Sequence, residues 1–417
     1  MVISLAESII FHIDVNSAYL SWEAAYRLQH GSQLDLRNIP SIVGGDIAKR
    51  HGIVLARSTP AKEFNIYTGE TIYSALQKCP KLAIVPPNYH LYIKASRALI
   101  NLLKEYSPLV QQYSIDEAFL DYSNGQGSYL HVAYEIKNRI EKELGFTVNI
   151  GISTNKLLAK MASDLKKPNM VHTLFPDEIP NKMWPLPIDK LFMVGSRTKQ
   201  KLNSRGIFTI GELAKLDQEY IYTWLKKPGL LIWQYANGLE NSPVRPEPEP
   251  RKSVGNSTTT SFDVDSQSEA HLILLAISEM IGMRVRNLEL KGSVISVSLK
   301  DKDFFTYSQQ KKLSIPTSST QKIYETARDI FNGMWQGKAL RQFSISLSEL
   351  CGNDFFQLSL MDNYDEREEK LDKTIDHLRN KFGYKSVIRS CFLHSGIEPI
   401  IGGVVSEEEY PMMSSLL

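Results

Sequence analysis

The sequence contains few cysteines and no long apolar segment. Its three cysteines, Cys79, Cys351 and Cys391, are widely spaced and form no CxxC pair. We therefore expect free thiols in a reducing compartment, and neither a disulfide framework nor a cysteine zinc site. No apolar run approaches the roughly 18 residues that a membrane span requires, and no secretory signal is visible. We expect a cytoplasmic protein with no membrane partner.

An excess of charge of one sign is also missing. The 48 Lys and Arg residues against 46 Asp and Glu residues give a net charge of +2, so any basic surface must be local. This balance neither requires nor excludes nucleic acid as a partner. With 42% hydrophobic and 23% charged residues, the composition is that of a globular protein. A chain of 417 residues is too long for one ordinary core, so we expect two to four domains.

The clearest chemical signal is a pair of adjacent carboxylates, Asp116 and Glu117, within the apolar segment 113–121. Asp14 stands in a similar setting, in a strand predicted at residues 9–15. Ionised carboxylates are costly to bury, and a divalent cation compensates that cost. A helix cap or a turn explains any one of these acids alone, but the three together favour two-metal phosphoryl transfer. Because neighbours in a strand face opposite ways, Asp116 and Glu117 share a site only at a hairpin tip or bulge.

Two further segments carry groups suited to phosphate. A strand predicted at 147–152 runs into a helix at 155–165, and Lys160 lies one turn beyond Lys156 on the same helical face. Lysines at a helix start can bind phosphate, although a solvated lysine face explains this segment equally well on its own. Residues 56–62 place small hydroxyls and a base between a strand and a helix, which fits either phosphate contact or a plain loop.

The rest of the chain changes character twice. Residues 176–240 read as short helices, and the turn at Gly195 before a basic helix start is typical either of half a helix-hairpin-helix that contacts DNA phosphates or of a plain helix–helix turn. Four prolines within residues 241–250 predict a stiff linker. Residues 251–350 alternate strands and helices as a small α+β domain. Residues 357–361 have the pattern of a short docking peptide or of a packing strand.

These motifs, in this order and spacing, resemble the Y-family (translesion) DNA polymerases over about residues 8–350. The resemblance is carried by Ile13-Asp14-Val15-Asn16-Ser17-Ala18-Tyr19, by Ser114-Ile115-Asp116-Glu117-Ala118-Phe119-Leu120-Asp121, and by Gly151-Ile152-Ser153-Thr154-Asn155-Lys156 continued through Lys160-Met161-Ala162. It implies an α/β plus α+β multidomain fold, that of a right-hand polymerase with an α+β little-finger domain. The implied domains are a palm (1–18 and 85–175), small fingers (19–84), a small helical thumb (176–240), the linker (241–250), the little finger (251–350) and a tail (351–417).

The resemblance also implies roles for particular residues. Asp14, Asp116 and Glu117 are the expected catalytic residues, and with the backbone carbonyl of Val15 they are the expected ligands of two Mg²⁺ ions. The expected nucleotide-binding residues are Tyr19 as the steric gate against a ribose 2′-OH, with Ser58, Thr59, Lys62 and Lys160 on the triphosphate. The expected DNA contacts are Gly195, Thr198, Arg251 and Lys252. Gln357, Leu358, Leu360 and Met361 resemble the bacterial peptide that binds the sliding clamp (beta subunit).

The sequence departs from the family pattern at four of these places. Ala18 stands where many members have a second aromatic residue, and Thr59 replaces a common tyrosine. Lys62 replaces a common arginine, and because lysine lacks the bidentate fork of arginine, we expect a changed grip on the nucleotide. Met193 occupies the first glycine of the thumb hairpin, where a positive φ disfavours a side chain.

The resemblance implies a template-directed, low-fidelity DNA polymerase of the lesion-bypass type, with primer–template DNA, deoxynucleoside triphosphates and the sliding clamp as partners. Apart from the clamp we expect a monomer. One alternative is a catalytically silent, clamp-bound DNA scaffold of the same fold, which the intact acids Asp14, Asp116 and Glu117 disfavour. Another is a different palm enzyme such as a nucleotide cyclase, which the linker, the little-finger-like domain and the clamp-like peptide disfavour.

Overall fold

The computed structural model describes residues 8–47, 50, 52–352 and 366–400, and the chain separates into two compact units. Within the described residues, the first unit contains 8–45 and 53–248. The second contains 46–47, 50, 52, 249–352 and 366–400. None of the helices in this described part combines the length and apolarity that crossing a bilayer requires.

The strands, in chain order, are β1 (Ile10–Val15), β2 (Ser41–Gly44), β3 (Val54–Arg57), β4 (Ala83–Val85), β5 (Val110–Gln112), β6 (Glu117–Asp121), β7 (Val148–Ser153), β8 (Val171–Thr173), β9 (Ser253–Val264), β10 (Leu290–Asp301), β11 (Thr306–Thr317) and β12 (Leu340–Gly352). The helices are α1 (Ala18–Gln29), α2 (Thr59–Glu63), α3 (Ile72–Lys78), α4 (Tyr89–Lys104), α5 (Tyr129–Arg139), α6 (Lys156–Asp164), α7 (Ile179–Lys182), α8 (Ser196–Asn203), α9 (Ile210–Ala214), α10 (Gln218–Ala236), α11 (Gln267–Asn287), α12 (Thr320–Met334) and α13 (Glu366–Phe382).

A five-stranded sheet organises the first unit. Its strand order is β5-β6-β1-β7-β8, so β1 lies at the centre, with antiparallel neighbours on both sides. Every residue of β1 and of β7 is buried, although the sequence of β7 alternates apolar residues with Asn149, Gly151 and Ser153. The sequence predicted these two strands within one or two residues of their observed bounds.

Gly151 allows α6 to approach this sheet closely. A Cβ atom built on Gly151 would lie 1.9 Å from the carbonyl oxygen of Ala159 and 2.4 Å from the amide nitrogen of Ser163. No side chain fits there without moving the helix backbone. The glycine therefore sets the distance between β7 and α6, and with it the position of Lys160 over the sheet.

A smaller sheet and a helical region complete the first unit. The sheet has the order β3-β2-β4 and, with α2 and α3, encloses a small core that includes Ile42, Val54 and Ile72. The helices α7 to α10 enclose a separate core that also takes in residues of α6. The sequence predicted short helices near α8 and α9, but it missed α10. Pro228 and Gly229 break the pattern there, and the helix is interrupted at Lys226, where φ is 57°.

The proline-rich segment begins on the surface of the first unit. Val244 is 6% exposed and belongs to an apolar cluster with Ile10, Tyr113 and Phe119. The backbone amide of Arg245 donates to Gln111 Oε1 at 3.1 Å. The first half of the predicted linker is therefore held against the central sheet.

The second unit is a four-stranded antiparallel sheet with the order β11-β10-β12-β9. Together with α11 and α12 it encloses one apolar core, which includes Val297, Phe331 and Phe343. The sequence predicted alternating strands and helices in this region, but it missed β11. That strand is rich in lysine and glutamine and is mostly solvated, so it lacks the apolar alternation that predicts a strand.

Residues 366–400 belong to this second unit, although the sequence assigned them to a separate tail beginning at 351. Arg286 on α11 forms ion pairs with Asp372 and Asp376 on α13, at 3.0 and 2.6 Å. Phe392 and Ile397 join the main core of the unit. The predicted domain boundary at residue 350 therefore differs from the structure, because a helix rich in charge reads as solvated when its buried partners are far away in sequence.

Candidate active site

The three carboxylates singled out in the sequence lie together at one end of the central sheet. Asp14 on β1 is paired in register with Glu117, the first residue of β6. Asp116 lies in the turn between β5 and β6, and its carbonyl oxygen accepts the amide of Val15 at 3.0 Å. The requirement that Asp116 and Glu117 occupy a hairpin tip is therefore met.

Ser114 holds the shape of this hairpin tip. Its hydroxyl donates to Asp116 Oδ1 at 2.6 Å, and its oxygen accepts the backbone amides of Asp116 and Glu117 at 3.2 and 3.1 Å. Both donor and acceptor capacity of the hydroxyl are used within the turn. The Asp116 carboxylate is thus oriented by a short local network.

Two lysines act as counter-ions for the carboxylates. The amine of Lys160 donates to Glu117 Oε2 at 2.6 Å, and the amine of Lys167 contacts Asp14 Oδ2 and lies 2.8 Å from Asp164 Oδ1. The Lys160 side chain is 10% exposed and the Lys167 side chain is 37% exposed. Lys160 is therefore enclosed beside the sheet, whereas Lys167 reaches the acids from the solvent side.

The environment shifts the pKa values of the three carboxyls in different directions. Burial raises the pKa of Asp14, against the opposing charge of Lys167. Burial, with the charges of Asp14 and Glu117, raises the pKa of Asp116 to about 6. Burial would also raise the pKa of Glu117, but contact with His12 and Lys160 outweighs it and lowers that pKa to about 2. The cluster thus favours a cation beside Asp14 and Asp116.

The donor set suits a hard divalent cation. The three carboxylates are oxygen donors of the kind that Mg²⁺ prefers. Across the described ranges, however, no group of three or more His, Cys, Asp or Glu side chains is arranged to hold a metal ion. Asp14 instead contacts Lys167, and Glu117 contacts Lys160, so a metal ion bound there would take over the neutralising role of the lysines.

His12 is a site residue that the sequence reasoning missed. It is fully buried on β1, its Nδ1 lies 2.8 Å from Ser163 Oγ, and its Nε2 lies 3.7 Å from Glu117 Oε2. Burial and the charge of Lys160 lower the pKa of His12. A histidine inside a continuous apolar strand was the available signal. Lys167 was also missed, because nothing in the neighbouring sequence indicates its distant partner Asp14.

Tyr19, the expected steric gate, is part of an aromatic stack. Its ring lies parallel to that of Tyr92, with centroids 4.5 Å apart and an interplanar angle of 7°, and Tyr89 meets both rings edge-on. The Tyr92 hydroxyl donates to Glu23 Oε1 at 3.1 Å, and Glu23 is itself buried. The stack fixes the plane of the Tyr19 ring from behind.

Three residues of the segment 58–62 are expected to contact the triphosphate, and they differ in whether their side chains are free to do so. Thr59 and Lys62 are exposed on α2. Ser58 is 2% exposed; its hydroxyl donates to the Ile39 carbonyl and accepts two backbone amides, including that of Ala61 at the helix start. The predicted phosphate contact of the Ser58 side chain therefore disagrees with the structure, because the hydroxyl is fully used in capping α2.

The predicted DNA-contacting residues lie on separate elements. Gly195 is the N-cap of α8 and Thr198 lies in its first turn. Met193 adopts a φ of 71°, so the positive-φ turn is formed despite the side chain. Arg251 and Lys252 are exposed just before β9, and the charge of Arg251 adds to desolvation in lowering the pKa of the half-buried Arg284 guanidinium. Gln357, Leu358, Leu360 and Met361 lie outside the described residues.

Comparison with known proteins agrees with this architecture. The sequence profile of the impB/mucB/samB family matches residues 13–164, that of its C-terminal domain matches 251–360, and that of the IMS family HHH motif matches 176–207. DNA polymerase IV of Clostridium acetobutylicum is 46% identical over 92% of this chain and 98% of its own length. DNA polymerase IV 2 of Bacillus subtilis is 36% identical over 93% and 95%. A solved Y-family DNA polymerase chimera shares the fold, with a TM-score of 0.71 and 22% identity, covering 83% of this chain and all of that one.

The fold and the acidic hairpin define a polymerase that transfers nucleotides, and the chain belongs to the Y-family of DNA polymerases. It is a template-directed DNA polymerase of the translesion type, and it acts on DNA and nucleotides with the help of divalent metal. The alternative of a catalytically silent scaffold is not favoured.

Proposed function

We propose that this polymerase extends a primer 3′ end with two Mg²⁺ ions held by Asp14, Asp116, Glu117 and the backbone carbonyl of Val15. Bound there, the ions would activate the 3′-hydroxyl and neutralise charge on the transferred phosphoryl group. The chain's own contribution is to hold the oxygen ligands at a rigid hairpin tip. The proposal rests on one observation: β1 meets that hairpin tip, and two lysines neutralise the carboxylates gathered there.

The incoming nucleotide is proposed to lie between the aromatic stack and the cations beside the acids. Tyr19 would exclude a ribose 2′-OH, and Tyr92 supports that role by stacking behind the gate. Thr59, Lys62 and Lys160 are proposed triphosphate ligands, and Lys167 joins them because its amine already contacts Asp14. The sequence-based role of Ser58 is reduced to holding the start of α2.

DNA is proposed to contact two separate surfaces. Gly195 and Thr198 would present the start of α8 to backbone phosphates. A Cβ built on Gly195 would meet no atom of the described residues within 4 Å, apart from its chain neighbours, which supports an open approach. Arg251 and Lys252 would add positive charge on the second unit. We assign palm, fingers, thumb, linker and little finger to the residue ranges expected from the sequence, with residues 366–400 added to the little finger.

We also propose that Gln357, Leu358, Leu360 and Met361 bind the sliding clamp. A glutamine followed by spaced apolar residues supplies one hydrogen-bonding anchor and two apolar anchors, and methionine adapts well to such pockets. The match of the C-terminal domain profile ends at residue 360, within this segment.

Primer extension on a defined template tests the catalytic proposal. Asp14→Asn and Asp116→Asn are expected to abolish extension while primer–template affinity is retained, because each removes a metal ligand without touching the DNA surfaces. Asp121→Asn on β6 is a matched control, since this acid caps a turn at Ser123. Extension near the wild-type rate by either ligand variant would refute the two-metal assignment. The same assay past template lesions measures bypass.

A further inference from the structure

Arg57, the last residue of β3, is a cation held over an aromatic ring. Its guanidinium carbon lies 5.3 Å from the centre of the Tyr67 ring, and Lys78 also approaches that ring, at 5.0 Å. Lys78 is neutralised by Glu70 at 2.7 Å. Within the described ranges, no carboxylate lies within ion-pair distance of Arg57. The aromatic ring thus holds a guanidinium that no acid balances.

Arg57 extends a row of cations that begins at the catalytic acids. Lys167 contacts Asp14, and the charges of Arg57 and Lys167 both act on Lys62, whose pKa is lowered by partial desolvation of its exposed side chain and by these two neighbours. Lys62, like Arg57, has no acid partner in the part of the chain that the structure describes. Like charges held side by side are unfavourable unless an anion joins them. This row of cations therefore suits a polyanionic ligand, one end of which would lie at Asp14.

We propose that Arg57 binds the terminal phosphates of the incoming deoxynucleoside triphosphate and that Tyr67 positions its guanidinium. The inference rests on the proposed placement of the triphosphate on Lys62 and Lys167. It also accounts for the departure at position 62, where lysine replaces a common arginine. Lysine binds phosphate as a point charge, whereas a guanidinium makes two parallel hydrogen bonds. Arg57 on β3 therefore supplies the bidentate guanidinium that α2 lacks.

The test compares variants of the full chain bound to a primer–template whose primer ends in a dideoxynucleotide, so that nucleotide binding is measured without turnover. Arg57→Ala and Arg57→Lys are expected to raise the Kd for the nucleotide by at least about tenfold, and the apparent KM in extension assays by a similar factor, with DNA affinity unchanged. Tyr67→Leu is expected to raise the nucleotide Kd, whereas Tyr67→Phe, which keeps the ring, is expected to bind the nucleotide with the wild-type Kd.

A second-site exchange adds a stringent check. Introducing Lys62→Arg into the Arg57→Ala variant is expected to recover most of the lost nucleotide affinity, because a guanidinium returns to the same row of cations. Arg139→Ala is the matched control: this arginine also lies over a tyrosine ring, that of Tyr106, but it is neutralised by Glu105 and Glu143. Its removal is expected to leave the nucleotide Kd unchanged.

The outcomes separate this inference from the proposal on which it rests. If Lys62→Ala and Lys167→Ala weaken nucleotide binding but Arg57→Ala does not, the role of Arg57 is wrong and the triphosphate site stands. If none of the three variants affects nucleotide binding, the triphosphate site itself is misplaced. A loss of DNA affinity by Arg57→Ala with an unchanged nucleotide Kd also overturns the inference.

Discussion

Glu279 on α11 and Arg379 on α13, one hundred residues apart, form an ion pair at 2.7 Å in which both side chains are at least 95% buried. Arg389 adds a second contact to Glu279 at 2.5 Å. These ion pairs, shielded from water, therefore attach residues 366–400 to the little finger. Removing one partner of such a pair leaves the others uncompensated.

We predict that Glu279→Gln weakens the attachment of α13 by about 3–5 kcal/mol at neutral pH, the range for breaking a buried ion pair. The measurement is the free energy of local opening of α13 from amide hydrogen exchange. Glu398→Gln is the control, because Glu398 pairs with Lys385 at 3.9 Å in an exposed position and should change little. Unaltered protection of α13 in the Glu279 variant would contradict the assignment.

The same pair predicts a pH dependence. Burial alone would raise the pKa of Glu279, but Arg379 and Arg389 outweigh it and hold that pKa below the ordinary 4.5. A lowered carboxyl pKa contributes stability that is complete above about pH 4.5 and is lost as pH falls through the folded-state value. The difference in α13 opening free energy between wild type and Glu279→Gln is therefore expected to shrink below pH 4.5. A difference that grows in acid would contradict this sign.

Sugar selection is predicted to depend on Tyr19. Tyr19→Ala is expected to raise ribonucleotide incorporation relative to deoxyribonucleotide by roughly 10- to 200-fold, the range that one steric difference in a pocket supplies. The measurement is kcat/KM for matched ribo- and deoxyribonucleotides on one template. Tyr92→Phe is the control, since it keeps the ring behind the gate and removes only the hydrogen bond to Glu23. Unchanged discrimination in Tyr19→Ala would place the gate elsewhere.

The two lysines at the acids are predicted to differ in nucleotide binding. Lys167→Ala and Lys160→Ala should both raise the apparent KM for the incoming nucleotide, with the larger effect, roughly tenfold, at Lys167. The order follows from exposure, because Lys167 is reached from solvent whereas Lys160 is enclosed against Glu117. A larger effect at Lys160 would favour the assignment made from sequence alone. Weakened DNA binding with unchanged KM would exclude both.

Recruitment is predicted to require the segment 357–361. Replacing Gln357, Leu360 and Met361 by alanine should abolish stimulation of synthesis by the sliding clamp and leave synthesis without the clamp unchanged. Ser359→Ala in the same segment is the control and should be stimulated normally. Full stimulation of the triple variant would mean that these side chains serve packing instead.

The strands β1 and β7 and the three acids were predictable from sequence because their signals are local. β1 and β7 are buried throughout, and Asp116 with Glu117 stands out against apolar neighbours. What sequence could not supply depends on distant contacts. The pairing of Lys167 with Asp14 crosses 153 positions, and the partners of α13 lie about ninety to one hundred positions away. The sequence also could not show that the Ser58 hydroxyl is used in capping α2, because a capping serine and a free serine look alike in sequence.

The missed strand β11 has a consequence for how molecules of this protein meet one another. It forms one open edge of the little-finger sheet, where unpaired backbone groups are a template for adding a strand from a second molecule. Lys311 and Lys312 lie in the middle of that edge, and Lys312 pairs with Glu349 on its surface. Charged side chains discourage edge-to-edge association. The polarity that concealed this strand from pattern analysis is therefore what protects the sheet against aggregation.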